Sequence, residues 1–318
     1  MAIKRIAPLG VLDKIDKHIT HPLGLESRQS HFYPTQASCY DYDGQLHGAC
    51  LRQVVLSFWH IPESNPPSAD TMYTFGVGKH IELMVGDWFK EMGIFKAHNV
   101  KFWNPDFYVS GELDFIVSES PSSDVLLGVE CKTSYGDYFK TEVVTGRAGV
   151  LPKPKEDHIL QVMNYLDSFP KLNDFSLIYI GRDKFDRTEY LIRLIDIDGD
   201  KYPEITHAGN GSYIDYHFSL ARMYDRYISA MKAVRSGVLP KTDYHPIMSQ
   251  EEVDQQLKDK LISKAKATRF SKGECLTTDW KCTYCNFRNW CRGMSPDAIP
   301  DFKKKFSEGE FKKYDCKA

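Results

Sequence analysis

A change of hydrophobic period in the middle of the chain leaves few folds open to it. From about 70 to 92 apolar residues recur at helical spacing, with Ile81, Met84, Val85, Trp88 and Phe89 on one stripe. The period then drops to two, which predicts strands near 98–103, 108–118 and 124–134. Behind the loop "GRAGVLPKPKED" a second helix is predicted at about 156–168. "FSLIYIG" and "TEYLIRLI" follow as strands on either side of the turn "RDKFDR". Helix, three strands, helix and strand together imply an α/β fold, a mixed sheet flanked by helices.

The flanks read differently. Residues 1–48 are rich in turn formers and receive no assignment, while "GACLRQVVLSFWHI" at 48–61 predicts a short helix closed by the loop "PESNPPSAD". Beyond 205 the chain becomes helical in "SLARMYDRYISAMKAVRSG" and "SQEEVDQQLKDKLISKAKA", then cysteine-rich, and it ends in a basic tail expected to be loosely ordered. The expected division is an N-terminal segment 1–68, a core 69–204 and a helical C-terminal region 205–318. No run of about eighteen apolar residues is present to span a bilayer, and "MAIKRIAPLGVLDKID" is too short in its apolar part for a secretory signal. A cytoplasmic protein without membrane contact is expected. Net charge is −2, so attraction to nucleic acid would have to come from a local basic surface.

Two of the strands carry charge where core residues are expected. In "GELDFIV" (111–117) alternation puts Leu113, Phe115 and Val117 on one face and Asp114 on the other. In "VLLGVECKTSYG" (125–136) Val125, Leu127, Val129 and Cys131 share a face opposite Glu130 and Lys132. Two carboxylates on adjacent strands suit a hard divalent cation, and a lysine beside them can hold water or neutralise phosphoryl charge. Alone, E-x-K is a common tripeptide whose ordinary reading is a solvated Glu/Lys pair. Other groups converge with it. His80 follows Gly76 on the long helix, at the edge of the apolar stripe. In "HILQVMNYLDSF", His158, Gln161 and Tyr165 form a polar stripe beside the buried Ile159, Val162, Met163 and Leu166. Asp106, in the literal "PD" at 105–106, is a rival to Asp114, which alternation and the G-x-x-D context favour.

Taken in order, "GVGKH", "GELDFIV", "GVECK" and "QVMNY" resemble the four motifs of RecB-type nucleases in the PD-(D/E)xK superfamily, over about residues 70–182. The resemblance implies a restriction-endonuclease-like sheet and a DNA nuclease. His80, Asp114, Glu130 and the backbone carbonyl of Cys131 would bind Mg²⁺ or Mn²⁺. Lys132 would be the catalytic lysine, with Gln161 and Tyr165 in support. His158 is read as either DNA-facing or simply on the surface.

The cysteines pose a separate question. Cys282-x2-Cys285-x5-Cys291 supplies three thiolates in one short segment. Cys275 would complete a local zinc site, and a distant cysteine would complete an iron–sulfur site. The spacing resembles the cluster-bearing members of the same family, among them CRISPR-associated RecB-like exonucleases and the AddB nuclease domain, where one N-terminal and three C-terminal cysteines hold a 4Fe–4S cluster. "CLRQVVL" at 50–56 resembles that family's N-terminal Cys-x-Arg helix, which makes Cys50 the expected fourth ligand ahead of Cys39 and Cys275. The helical lobe would then be built from both chain ends. Cys131 is expected to be an inert core thiol.

These readings imply a metal-dependent exonuclease acting on single-stranded DNA ends in recombination, repair, phage DNA processing or CRISPR adaptation, in a bacterial, archaeal or phage-infected cell. Arg147, Lys153 and Lys155, in the loop before the second helix, are the expected lining of a basic channel. The chain has no G-x-x-x-x-G-K-[ST] loop, so unwinding would fall to a helicase, recombinase or integrase partner. A homo-oligomer is also compatible. The rival readings are a DNA-end or single-strand binder without chemistry and a zinc-stabilised structural or adaptor protein.

Overall fold

A short hairpin, β1 (Ser38–Tyr40) with β2 (Leu46–Gly48), precedes a seven-stranded sheet. The sheet runs β3 (Phe95–Asn104), β4 (Val109–Ser118), β5 (Leu126–Ser134), β6 (Asp174–Gly181), β7 (Arg187–Ile197), β8 (Asp200–His207), β9 (Gly211–Ile214), in that spatial order. This is a computed structural model, which describes residues 11–20, 31–61, 63–208, 210–245, 248–271 and 279–291. The helices are α1 (Val11–Thr20), α2 (Leu51–Phe58), α3 (Ala69–Glu91), α4 (Gly136–Phe139), α5 (Glu156–Ser168), α6 (Leu220–Ser236), α7 (Gln250–Lys258), α8 (Lys264–Ser271), α9 (Trp280–Thr283) and α10 (Arg288–Cys291). Among them no helix is long and apolar enough to cross a membrane. Cys275, Cys316 and the basic tail at 301–318 lie outside the described residues.

Every neighbouring pair in the large sheet is antiparallel except β5 with β6. A parallel pair needs a crossover, and α4, a π-helical turn at 140–144 and α5 supply it. The crossover lays α5 on one face of the sheet, where Leu160, Met163 and Tyr165 join the main core with Phe175 and Leu177. On the other face α3 contributes Ile81 and Val85 to a second core with Phe115, Val117 and Val129. The predicted α/β sheet flanked by helices is thus present. Its two long helices and three consecutive strands fall close to the predicted positions.

The sheet is longer than expected. β8 begins in a stretch that received no assignment and β9 lies where helices were expected, because charge and the proline in "DKYPEITH" hide the two-residue period. The main core draws on all three stretches of the chain. Phe32, Val55 and Leu56 from the N-terminal segment, Leu160 and Tyr165 from α5, and Met223, Met231 and Phe287 from the C-terminal region all pack in the main core. A buried ion pair, Arg226 to Asp243 at 2.7 Å, reinforces the joint, and Asp243 also accepts the backbone N–H of Leu51 at the start of α2. Gly48 marks the closest approach. Its φ is +92°, and a Cβ there would sit 2.2 Å from the Ala37 carbonyl oxygen and 2.8 Å from Leu160.

Candidate active site and cysteine pocket

The strands bearing Asp114 and Glu130 separate where those residues stand. β4 pairs with β5 from Ser118↔Leu126 up to Phe115↔Val129, and the ladder stops there. On the other side, β3 pairs His98 with Phe115 and Val100 with Leu113, but Asn99 and Asp114 drop out between them, with Asn99 at φ +55°. Leu113 consequently packs in the main core and Phe115 and Val117 in the second. Simple alternation places all three on one face. The local twist at 99 and 114 divides them and leaves Asp114 at the seam. The Cys131 N–H, left without a strand partner, donates to Asp114 Oδ2 at 2.8 Å.

Glu130 is buried, and its two oxygens differ. Oε1 accepts from Lys132 Nζ at 2.6 Å and from Gln161 Nε2 at 2.8 Å. Oε2 is buried without a hydrogen-bond partner. Gln161 also donates to the Tyr165 hydroxyl at 2.8 Å, which donates in turn to the Glu112 carbonyl at 3.0 Å. One chain of hydrogen bonds therefore joins α5 to both strands through Lys132, Glu130, Gln161, Tyr165 and the Glu112 carbonyl, and Asp114 stands beside it on the Cys131 N–H. Burial, then the charge of Glu130, pushes Asp114 up to about 8. Burial pulls the Lys132 ammonium down, but Glu130 beside it outweighs that and the net shift is upward. Burial and the charge of Asp114 raise the Cys131 thiol to about 12, consistent with an inert sulfur packed on the second core. An unpartnered carboxylate oxygen beside a carboxyl that resists ionisation fits a divalent cation with oxygen ligands.

His80 is not brought to this cluster. It is exposed on α3, whereas the face against the sheet is formed by Gly78, Ile81, Glu82, Val85 and Gly86; a Cβ on Gly78 would lie 3.1 Å from Thr133, and one on Gly86 2.8 Å from Phe115. The residue facing Asp114 from this helix is Glu82. Its charge contributes to the upward shift of both Asp114 and Cys131, and it is held by Lys79 at 2.6 Å and by His98 at 2.9 Å. Sequence reasoning passed over Glu82, although its position one residue from Ile81 on the apolar stripe was the available signal.

His158 also departs from a surface reading. Its Nδ1 lies 2.8 Å from the Tyr179 hydroxyl, which accepts the Lys155 N–H at 3.0 Å and so turns its own hydrogen toward the imidazole. Burial, together with Lys132 and Lys155, keeps the ring neutral, with its pKa well below the ordinary histidine range. Beside it stands a cationic and aromatic lip that the sequence did not disclose. Arg182 lies 5.0 Å from the Tyr135 ring just beyond the parallel strands, Lys155 feels its charge, and Tyr135 and Tyr138 are exposed. The other expected channel residues have local partners. Arg147 is paired with Glu142, and Lys153 lies over the Tyr213 ring at 5.9 Å. Asp106 sits in the β3–β4 turn, away from Glu130, with its N–H on Asn104.

The four expected cluster cysteines line one cavity of about 170 Å³. Cys50 enters from the start of α2, and Cys282, Cys285 and Cys291 come from α9, the following turn and α10. Cys39 lies elsewhere, buried, with its thiol on the His217 carbonyl at 3.6 Å and pushed by burial to about 12. Burial raises Cys282 to about 12 and Cys285 to about 11, and it raises Cys291 against the opposing charge of Arg52. Lys281 clamps the pocket wall, donating to the Gly48 carbonyl and to Asp157 at 2.7 Å each. Four cysteines on one cavity fit a four-thiolate centre. Among the described residues no three His, Cys, Asp or Glu side chains are grouped so as to hold a metal ion.

No protein-family model and no curated protein matches the chain. Among solved structures it is similar to SSO0001, a Sulfolobus protein, at 14% identity and a TM-score of 0.40, over 88% of this chain and 92% of that one.

Proposed function

We propose that the protein is a metal-dependent deoxyribonuclease of the RecB-like PD-(D/E)xK type, working as an exonuclease on single-stranded DNA ends. The observation that carries the reading is Glu130, whose Oε1 is fixed by Lys132 and Gln161 while its buried Oε2 lacks a partner next to Asp114. Asp114 and Glu130 would hold Mg²⁺ or Mn²⁺, which when bound supplies Lewis acidity to a phosphodiester and lowers the pKa of water. Lys132 orients the incoming water or neutralises charge on the phosphoryl oxygens as the P–O bond breaks. Gln161 and Tyr165 keep Glu130 in place. Tyr135, Tyr138 and Arg182 form a lip on which bases and phosphates of a single strand can rest, with Lys155 beside it. Cys50, Cys282, Cys285 and Cys291 would hold a 4Fe–4S cluster that fastens the two chain ends to each other.

Purified protein should degrade end-labelled linear single-stranded DNA faster than blunt duplex, only with Mg²⁺ or Mn²⁺, and should leave closed single-stranded circles largely intact. Glu130→Ala should lack the activity. Hydrolysis at near wild-type rate in Glu130→Ala would overturn the assignment, and binding without hydrolysis in either metal would identify a non-catalytic binder. Circles cut as fast as linear strands would replace the exonuclease with an endonuclease.

A further inference from the structure

A second cavity, of about 250 Å³, opens where the β1–β2 hairpin, the first turn of α5 and the loop between β9 and α6 meet, and two histidines stand in its wall. Each is held from behind by an aspartate. Asp41 Oδ2 lies 3.0 Å from His47 Nε2, and Asp215 Oδ1 lies 2.7 Å from His217 Nδ1. Asp41 is itself locked as a carboxylate, because its Oδ1 accepts the backbone N–H groups of Asp43 and Gln45. His47 Nε2 is thus committed to Asp41, and Nδ1 faces the cavity, where a bound cation would take the place of the proton that the flanking carboxylates favour on the ring. Nδ1 is buried and has no hydrogen-bond partner, on a residue only 5% exposed. Glu156 Oε1 lies 3.1 Å from it, off the line a hydrogen bond needs.

We propose that His47 Nδ1, His217 Nε2 and the Glu156 carboxylate form a site for a divalent transition cation of the Zn²⁺ class, separate from the strand-pair carboxylates and from the cysteine pocket. Asp41 and Asp215 act as the outer carboxylates that fix tautomer and ring orientation, an arrangement typical of histidine-ligated metals. The two rings have centroids 5.8 Å apart. Two imidazoles sharing one ion at about 2.0–2.1 Å per bond place their centroids roughly 5–6 Å apart. Closure asks little of the protein, since His47 and His217 are held by their aspartates while the side chain of Glu156 is 51% exposed and can swing to meet the ion. Lys153 lines the same cavity but lies over Tyr213, and carboxylates outnumber it there. Two imidazoles with one carboxylate select Zn²⁺, Ni²⁺ or Co²⁺ over Mg²⁺, which takes oxygen ligands. Glu156 opens α5, the helix that carries His158, Gln161 and Tyr165, so an ion there would clip the hairpin to the helix that positions Glu130.

The test is zinc stoichiometry and affinity of the full chain by equilibrium dialysis and calorimetry. It does not depend on nuclease activity. Wild type should bind one Zn²⁺ per chain more than His217→Ala or His47→Gln, and the double variant should lose no more than either single variant. Asp215→Asn should keep the stoichiometry and weaken that ion by about 10–100-fold. A hundredfold excess of Mg²⁺ should not displace it. Retention of wild-type stoichiometry in His217→Ala, whose exposed side chain the fold does not need, overturns the proposal. Loss of two ions in the double variant overturns it as well, since the histidines would then be acting separately.

Discussion

The strand-pair site and the cysteine pocket solve the same problem, gathering donors around a point, by opposite means. At the strand pair the donors are charged or strongly polar and are already hydrogen-bonded, with Glu130 held by Lys132 and Gln161, and Gln161 by Tyr165. In the cysteine pocket burial raises the thiols of Cys282, Cys285 and Cys291, and the four cysteines are brought onto one cavity by elements from both ends of the chain. In the first, Glu130 is anchored by hydrogen bonds of the protein alone. In the second, the proposed centre would have to displace thiol protons as it binds. Substitutions should accordingly remove chemistry at the first and architecture at the second.

The largest effect is expected at the strand pair. Asp114→Asn and Lys132→Ala should each lower cleavage by at least about 10³-fold, measured in single-turnover assays, with circular dichroism unchanged. Asp114→Asn has a second consequence. In the metal-free protein Asp114 holds its proton up to about 8, whereas the unfolded chain releases it near 3.8. The folded state therefore binds more protons between those values, and its stability falls as pH rises through that window. Up to about 6 kcal/mol is at stake, at the upper bound of one such shift. The variant should flatten the fall in Tm between pH 4 and 8, and saturating Mg²⁺ should flatten it in the wild type. A pH slope unchanged in Asp114→Asn would refute the electrostatic account of the site.

At the cysteine pocket Cys50→Ala, Cys282→Ala, Cys285→Ala and Cys291→Ala should each strip iron and sulfide from anaerobically purified protein and lower its solubility. Cys39→Ala should retain both, because its thiol lies on the His217 carbonyl outside the pocket. Stoichiometric zinc in place of iron and sulfide would replace the cluster with a structural zinc centre. A smaller loss is expected for Tyr165→Phe, which leaves the Glu112 carbonyl and one Gln161 donor contact unmet. It should cost about 1–2 kcal/mol in denaturant unfolding, with cleavage reduced far less than in Lys132→Ala.

How much of this was legible in the sequence follows from the same contrast. Glu130, Lys132, Gln161 and Tyr165 could be placed because strand and helix periods fix which residues share a face, and those periods hold through β5 and α5. Asp114 was singled out by an alternation that holds only in part. Alternation puts it opposite Leu113, Phe115 and Val117, but the irregularity shared with Asn99 divides those three between two cores. A twist distributed over two strands leaves no mark in either strand's period. The second cavity was hidden more completely. Asp41 and His47, Glu156, and Asp215 and His217 belong to three segments joined only by the fold, and the first lies in a stretch without a readable period.

The finest distinction concerns α3, where resemblance and geometry choose different residues. The family motif assigns a metal ligand to His80, but the turn of the helix points His80 to solvent and Glu82 toward Asp114. Glu82 is already committed to Lys79 and His98, which hold its carboxylate on the sheet side at 2.6 and 2.9 Å. A negative charge there makes it harder for Asp114 to ionise and gives a divalent cation one more reason to bind. Glu82→Gln keeps the shape of the side chain and removes the charge. It should raise the Mg²⁺ concentration needed for half-maximal cleavage several-fold while leaving the rate at saturating Mg²⁺ nearly unchanged. His80→Ala should alter neither by more than about twofold. If His80→Ala instead shifts the Mg²⁺ requirement and Glu82→Gln does not, α3 must turn when the ion binds, and the face that the helix presents here would belong to the metal-free protein alone.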